Sequence, residues 1–165
     1  MLEIRTCAYM SKQDMFADLT SQTAALLGAE RDPIANAANA AALIFHVLPD
    51  LNWAGFYILR GGELVLGPFQ GKPACVRIPA GRGVCGAAVA QKEAILVEDV
   101  HAFPGHIACD AASRSELVVP LLRSGIPVGV IDLDSPVIGR FDADDRIGIE
   151  ALAAVYLAAS DPFPA

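Results

Sequence analysis

With 165 residues, 54% of them hydrophobic, the chain is long enough to bury a core and reads most simply as one domain. Its net charge of -7 argues against a nucleic-acid surface, which draws its affinity from lysine and arginine on phosphates, and no basic run offsets it. No apolar stretch nears the roughly 20 residues of a membrane span, and the N-terminus lacks the basic start and apolar block of a signal peptide. A soluble cytoplasmic protein is therefore expected.

Residues 1–12 carry little pattern and are expected to be an N-terminal extension, with 13–165 forming a single domain. Met15, Phe16, Leu19 and Leu26 recur at roughly helical spacing, predicting a helix from Gln13 to Leu27. Asp32 followed by Pro33 reads as an N-cap with proline at the first helical position. The helix behind it is expected to bury Ile34, Ala38, Ala41, Phe45 and Leu48 and to end at Pro49-Asp50.

The period then changes to two. Trp53 to Leu59 and Glu63 to Phe69 read as a hairpin around Arg60-Gly61-Gly62, with Trp53, Gly55 and Tyr57 on one face. Ala74 to Ile78 is a third short strand. Gly81 and Gly83 make a tight loop ahead of a short helix carrying Cys85, and Ala94 to Val97 is a further strand. Glu98 to Ser115 is a long polar loop. Glu116 to Leu122 and Ile126 to Asp134 pair around Ser124-Gly125. The last helix has acidic residues suited to its first turn, Asp142 to Asp145, and is expected to turn Ile147, Ala151 and Val155 inward. Strands joined as hairpins, with helices at both chain ends, make this α+β with a mainly antiparallel sheet.

Four cysteines in a reducing compartment point to catalytic, redox-sensing or metal roles before a disulfide frame. A loop of about 18 residues without secondary structure is uncommon unless it has a job. This one holds His106, Cys109 and Asp110; a protonated His106 would favour a thiolate at Cys109, and Asp110 would oppose it. Asp132 and Asp134 project to one face of their strand. With an odd-length hairpin loop, Glu116 falls directly across from Asp132. Facing like charges need a cation, a ligand ammonium or a shared proton, unless they splay into solvent at the sheet edge. A zinc site from His101, His106 and Cys109 with Cys75 or Cys85 has weak support, because no C-x-x-C pair exists. GRGVCG lacks the lysine and Ser/Thr of a phosphate loop.

The segments NWAGFY (Asn52 to Tyr57), LGPFQGKPACVRIPAGRGVCG (Leu66 to Gly86), EDVHAFPGHIACDAASRSE (Glu98 to Glu116) and GVIDLDSPVIGRF (Gly129 to Phe141) resemble those of the free methionine-(R)-sulfoxide reductase family. The resemblance spans about Asp14 to Leu157. It implies a GAF-like domain with a sheet of about six strands flanked by helices, usually dimeric, with no metal or organic cofactor. Position by position, it implies Cys109 as the nucleophile, Cys75 as the resolving partner and Cys85 as a third cysteine whose part in recycling is open. Glu116, Asp132 and Asp134 would hold the substrate's ammonium and polar end, and Trp53 and Tyr57 would wall the methyl-sulfoxide. Cys7 has no counterpart.

The chemistry fits. A thiolate attacks the sulfoxide sulfur, and the oxygen, which finally leaves as water, requires protons that a carboxylic acid of raised pKa can supply. The sulfenic acid formed at Cys109 condenses with a nearby thiol into a disulfide, which thioredoxin reduces by exchange. The rival reading is a non-catalytic GAF module sensing redox state or a small molecule.

Overall fold

A computed structural model describes residues 9–107 and 110–163. Cys7 and Cys109 lie outside the described residues, as does most of the expected extension.

Eleven elements follow one another: α1 (Lys12–Leu27), α2 (Pro33–Val47), β1 (Trp53–Arg60), β2 (Glu63–Gly71), β3 (Arg77–Pro79), α3 (Gly83–Gln91), β4 (Ile95–Val97), a 3-10 turn (Val100–Ala102), β5 (Ser115–Arg123), β6 (Ile126–Ser135) and α4 (Ala143–Ala159). The strands form one six-stranded sheet in the order β3-β2-β1-β6-β5-β4, and every neighbouring pair is antiparallel. This is the α+β arrangement expected from the hairpins. No helix among the described residues is long and apolar enough to cross a membrane.

Strict alternation along the central strands divides the molecule into two layers. Ala54, Phe56, Leu117, Val119, Leu121, Ile131 and Leu133 face one way and pack with α1, α2 and α4. Trp53, Tyr57, Val118 and Val130 face the other way and pack with Val84, Cys85, Ala88 and Val89 of α3. The first layer carries the larger core. The second is thinner, and the site lies within it.

Helix ends follow the local chemistry. Asp32 accepts hydrogen bonds from the Ile34 and Ala35 amides at 2.9 and 2.8 Å, and Pro33 sits in the first turn as expected. Asp142 and Asp145 form a reciprocal capping box on α4. The buried Asp145 also pairs with Lys12 and with Arg140, tying the start of α1 to the start of α4. Lys12 is thus docked, although it falls within the expected extension. The two helices touch closely at Gly148, where a Cβ would lie 2.1 Å from Phe16 Cγ.

The inward faces of two helices differ from expectation. On α2 the buried residues are Pro33, Asn36, Ala37, Ala40, Ala41, Leu43 and Ile44, while Ile34 and Ala38 are exposed and Phe45 is half-buried. On α4 they include Gly148, Ile149, Leu152, Ala153 and Tyr156, while Ile147 and Ala151 are exposed. Both helices are rich in alanine on every side, so the sequence offers two overlapping apolar stripes and tertiary packing chooses between them.

The third strand is also displaced. It pairs only through Arg77 to Pro79, opposite Glu63 to Val65, rather than from Ala74. A register shift opposite Gly55 to Tyr57 puts an extra residue in β2 around Gly67-Pro68, and such a bulge bends the strand away from its neighbour.

Candidate active site

The site is built on the thinner face of the sheet, where β1, β6 and β5 lie side by side. In the ladder Trp53 pairs with Asp134 and Gly55 with Asp132, while across the other edge of β6 Glu116 pairs with Asp134. All three carboxylates therefore share one face with Trp53 and Tyr57.

The register that achieves this is not the one expected. The turn has two residues, Ser124 and Gly125, both with positive φ of 51° and 75°. A two-residue turn alone would set Glu116 opposite Leu133 and send it to the other face. A one-residue bulge at Leu121/Leu122 shifts the pairing, so Glu116 stands across from Asp134 and Val118 across from Asp132. The bulge, not the turn, brings the acids together.

The aromatic wall depends on a missing side chain. A Cβ on Gly55 would lie 2.5 Å from the Trp53 ring and 2.4 Å from Phe69 Cβ. Glycine lets the indole lie flat over the strand, stacked on Phe69 with centroids 5.3 Å apart and near Tyr57 at 5.8 Å. Trp53 Nε1 donates to the Lys72 carbonyl at 3.1 Å, and the Tyr57 hydroxyl donates to the Cys75 carbonyl at 2.9 Å. Both aromatic rings are thereby fixed to the segment carrying Cys75.

Trp53, Tyr57, Cys85, His106, Glu116, Asp132 and Asp134 line one cavity together with Pro73, Ala74 and Ile107. Glu116 and Asp132 are each 6% exposed. Burial, then the neighbouring Asp132 and Asp134, hold the Glu116 carboxyl well above its ordinary range. Burial raises Asp132 to about 7, against hydrogen bonds from Cys85 and Glu116. Burial and Asp132 raise Asp134, which Ser113 partly offsets by hydrogen bonding. Asp132 Oδ1 is buried with no partner. The carboxylates do not splay into solvent. Glu116 and Asp132 are buried and Asp134 is half-buried beside them, and the raised carboxyls make a cluster suited both to donating a proton and to attracting a cation.

The cysteines fall into distinct environments. Cys75 is disulfide-bonded. Cys85 is a free, buried thiol on the first turn of α3, with Sγ 4.0 Å from Glu116 Oε1. Burial, then Asp132 and Glu116, push that thiol up, so it stays protonated.

Of the histidines weighed as metal ligands, His101 is exposed and turned to Asp99 at 3.0 Å, outside the cavity. His106 enters the cavity, where Nε2 lies 3.7 Å from Glu116 Oε2, and burial lowers its pKa. It thus stands against a carboxylate, a contact the sequence did not suggest. Also unforeseen is the clamp on the loop. Asn52 Nδ2 reaches Asp110 at 3.2 Å and Ser113 at 3.0 Å, and Asp110 further accepts from the Ala112 amide and faces Lys72. Asn52 lies next to Trp53 in a quoted motif, but nothing in its spacing to the loop announces the pairing. The long loop is less structureless than expected, with its 3-10 turn capped by Asp99 accepting from the His101 amide.

A family model for the GAF domain matches residues 36–159. The free methionine-R-sulfoxide reductase of Escherichia coli is 54% identical over 145 residues, covering 88% of each chain. That of Saccharomyces cerevisiae is 41% identical over 152 residues, covering 87% of this chain and 84% of its own. The X-ray structure of the Neisseria meningitidis free methionine-R-sulfoxide reductase in complex with its substrate superposes with a TM-score of 0.92 at 40% identity, over 96% of this chain and 95% of that one. With a GAF model over most of its length, and relatives this close to its full extent, the chain belongs to the GAF-domain family of free methionine-R-sulfoxide reductases.

Proposed function

We propose that this chain, as one domain over residues 13–165, reduces free L-methionine-(R)-sulfoxide to L-methionine with thioredoxin as reductant. The observation that carries the reading is the acid cluster of buried Glu116 and Asp132 with half-buried Asp134, lining one cavity with Trp53 and Tyr57. An ammonium entering that cluster would bring the positive charge that no lysine or arginine lines the cavity to supply, among the described residues. A peptide-bound residue has no such ammonium, so the same cluster selects the free amino acid. The indole and phenol suit a methyl-sulfur group through sulfur–aromatic contact.

In this reading the Cys109 thiolate attacks the sulfoxide sulfur, and the oxygen takes a proton from the acid cluster. Sulfur of the substrate is reduced by two electrons and released as methionine, while Cys109 is oxidised to the sulfenic acid. The Cys75 thiol displaces water from it, and the resulting Cys75–Cys109 disulfide is opened by thioredoxin. That Cys75 is found in a disulfide supports its redox role. Cys85 is buried, and burial with the neighbouring Asp132 and Glu116 raises its thiol, so its part in recycling stays open beside that of Cys75. Its place is against Glu116, where it donates to the carboxylate that is to give up a proton. The family resemblance further suggests a homodimer, and the reducing chemistry suits the cytoplasm.

Quenched single turnovers test the assignment. Cys75→Ser should release one methionine per chain and accumulate a sulfenic acid at Cys109, trappable by a dimedone-type probe. Cys109→Ser should release none. Methionine released by Cys109→Ser would overturn the nucleophile, and undiminished thioredoxin-driven cycling by Cys75→Ser would overturn the resolving partner.

A further inference from the structure

The acid cluster holds a softer donor set than an ammonium needs. Cys85 Sγ, a Glu116 oxygen and an Asp132 oxygen all lie within 4.8 Å of one another, and all three residues are buried. His106 Nε2 stands 3.7 Å from Glu116 Oε2. Asp132, itself 6% exposed, has its Oδ1 without a hydrogen-bond partner in the cavity wall. No lysine or arginine among the described residues lines the cavity to offset these charges.

We propose that Cys85, Glu116 and Asp132, with His106 as a fourth donor, bind a thiophilic divalent cation, Zn2+ above all, in the seat of the substrate's ammonium. The ion is an inhibitor there and not a cofactor. Competition with substrate rests on the function proposed above; the binding itself does not.

The donor set selects the metal. A thiolate with carboxylate and imidazole ligands suits zinc or cobalt, whereas Ca2+ and Mg2+ require a shell of oxygens that this group does not offer. Zinc–sulfur and zinc–oxygen bonds of about 2.3 and 2.0–2.2 Å bring such ligands to about 3.6 Å from each other, so side-chain rotations of roughly 1 Å close the site. The cavity's free space is ≈ 30 Å³. A single water needs about 10–15 Å³ by the same measure, so the cavity has room for an ion. Coordination replaces the S–H bond of Cys85 with an S–metal bond. The thiol proton and any carboxyl proton of the cluster go to solvent, and no electron is transferred. Binding therefore strengthens as pH rises.

The probe is Co2+ added to the full chain in its oxidised form, where Cys75 is not available as a thiol. A thiolate-to-cobalt charge-transfer band in the near ultraviolet is expected, and Zn2+ should bleach it by displacement. Cys85→Ser should abolish the band and weaken Zn2+ binding by more than about tenfold. Asp132→Asn, which keeps the thiol, should retain the band with weaker affinity, and it decides the matter where the serine variant does not fold. Free methionine sulfoxide should bleach the band of the native protein, while glycine at the same concentration, an equal chelator, should not.

Absence of the band, or a band unchanged in Cys85→Ser, would overturn the site. Equal bleaching by glycine would overturn the competition. A protein that binds cobalt through Cys85 but ignores methionine sulfoxide would keep the metal site and overturn the competition, while the reductase reading is decided separately by turnover.

Discussion

Asp132→Asn should stabilise the protein at neutral and alkaline pH while removing its activity. In the folded state burial raises the Asp132 carboxyl from 3.8 to about 7. The folded protein thus keeps a proton that the unfolded chain has already lost, and stability falls as pH climbs from about 4 through 7, then levels off. At about 1.4 kcal/mol for each tenfold difference in proton affinity, the full span corresponds to about 4 kcal/mol, fully felt above pH 7 and absent below pH 4. Asparagine has nearly the same shape, carries no charge to desolvate, and also relieves Glu116 and Asp134 of a neighbouring charge. Part of the 4 kcal/mol will be recovered by relaxation, so a gain of about 2–4 kcal/mol at pH 8 is expected. Urea midpoints for both proteins at pH 5 and pH 8 measure it, the thioredoxin-coupled rate being followed alongside. Native stability should drop from pH 5 to pH 8 by more than the variant's. Parallel pH dependence in the two proteins would refute a buried, destabilising carboxylate, and a stable variant with native activity would refute its role in holding substrate.

Gly55→Ala should push the indole of Trp53 off β1, costing about 1–3 kcal/mol in a melt and raising KM for the sulfoxide; an unchanged KM would separate Trp53 from the substrate wall. Asp145→Ala leaves the buried Arg140 without its carboxylate, so denaturant unfolding should show a loss of about 3–5 kcal/mol while the folded fraction keeps its rate; a smaller loss would mean that solvent reaches Arg140. Tyr57→Phe removes the hydrogen bond to the Cys75 carbonyl and should cost about 1 kcal/mol, with the rate of disulfide formation after the first turnover slowed; an unaltered rate would show that this tether does not position Cys75.

The hairpins around Gly61-Gly62 and Ser124-Gly125, the proline-started α2 and the acid-capped α4 were legible because each rests on local backbone chemistry. The face shared by Trp53, Gly55 and Tyr57 was legible for the same reason, since a strand has period two. The partner of Glu116 was not. Its register depends on a bulge at Leu121/Leu122, and nothing in LLRSGIPV distinguishes a bulged pairing from a regular one. The inward faces of α2 and α4 were misread because alanine fits either stripe. The contact between His106 and Glu116 and the clamp by Asn52 join residues remote in sequence, and only the fold brings them within reach.

The reductase reading stands or falls on thioredoxin-coupled NADPH consumption with free L-methionine-(R)-sulfoxide, the (S) epimer and a peptide-bound sulfoxide measured side by side. Turnover of the free (R) epimer alone is the predicted result. Equal turnover of the peptide-bound form would contradict the ammonium-seeking role of Glu116, Asp132 and Asp134. No turnover of any of the three would make the domain a redox-sensing module instead.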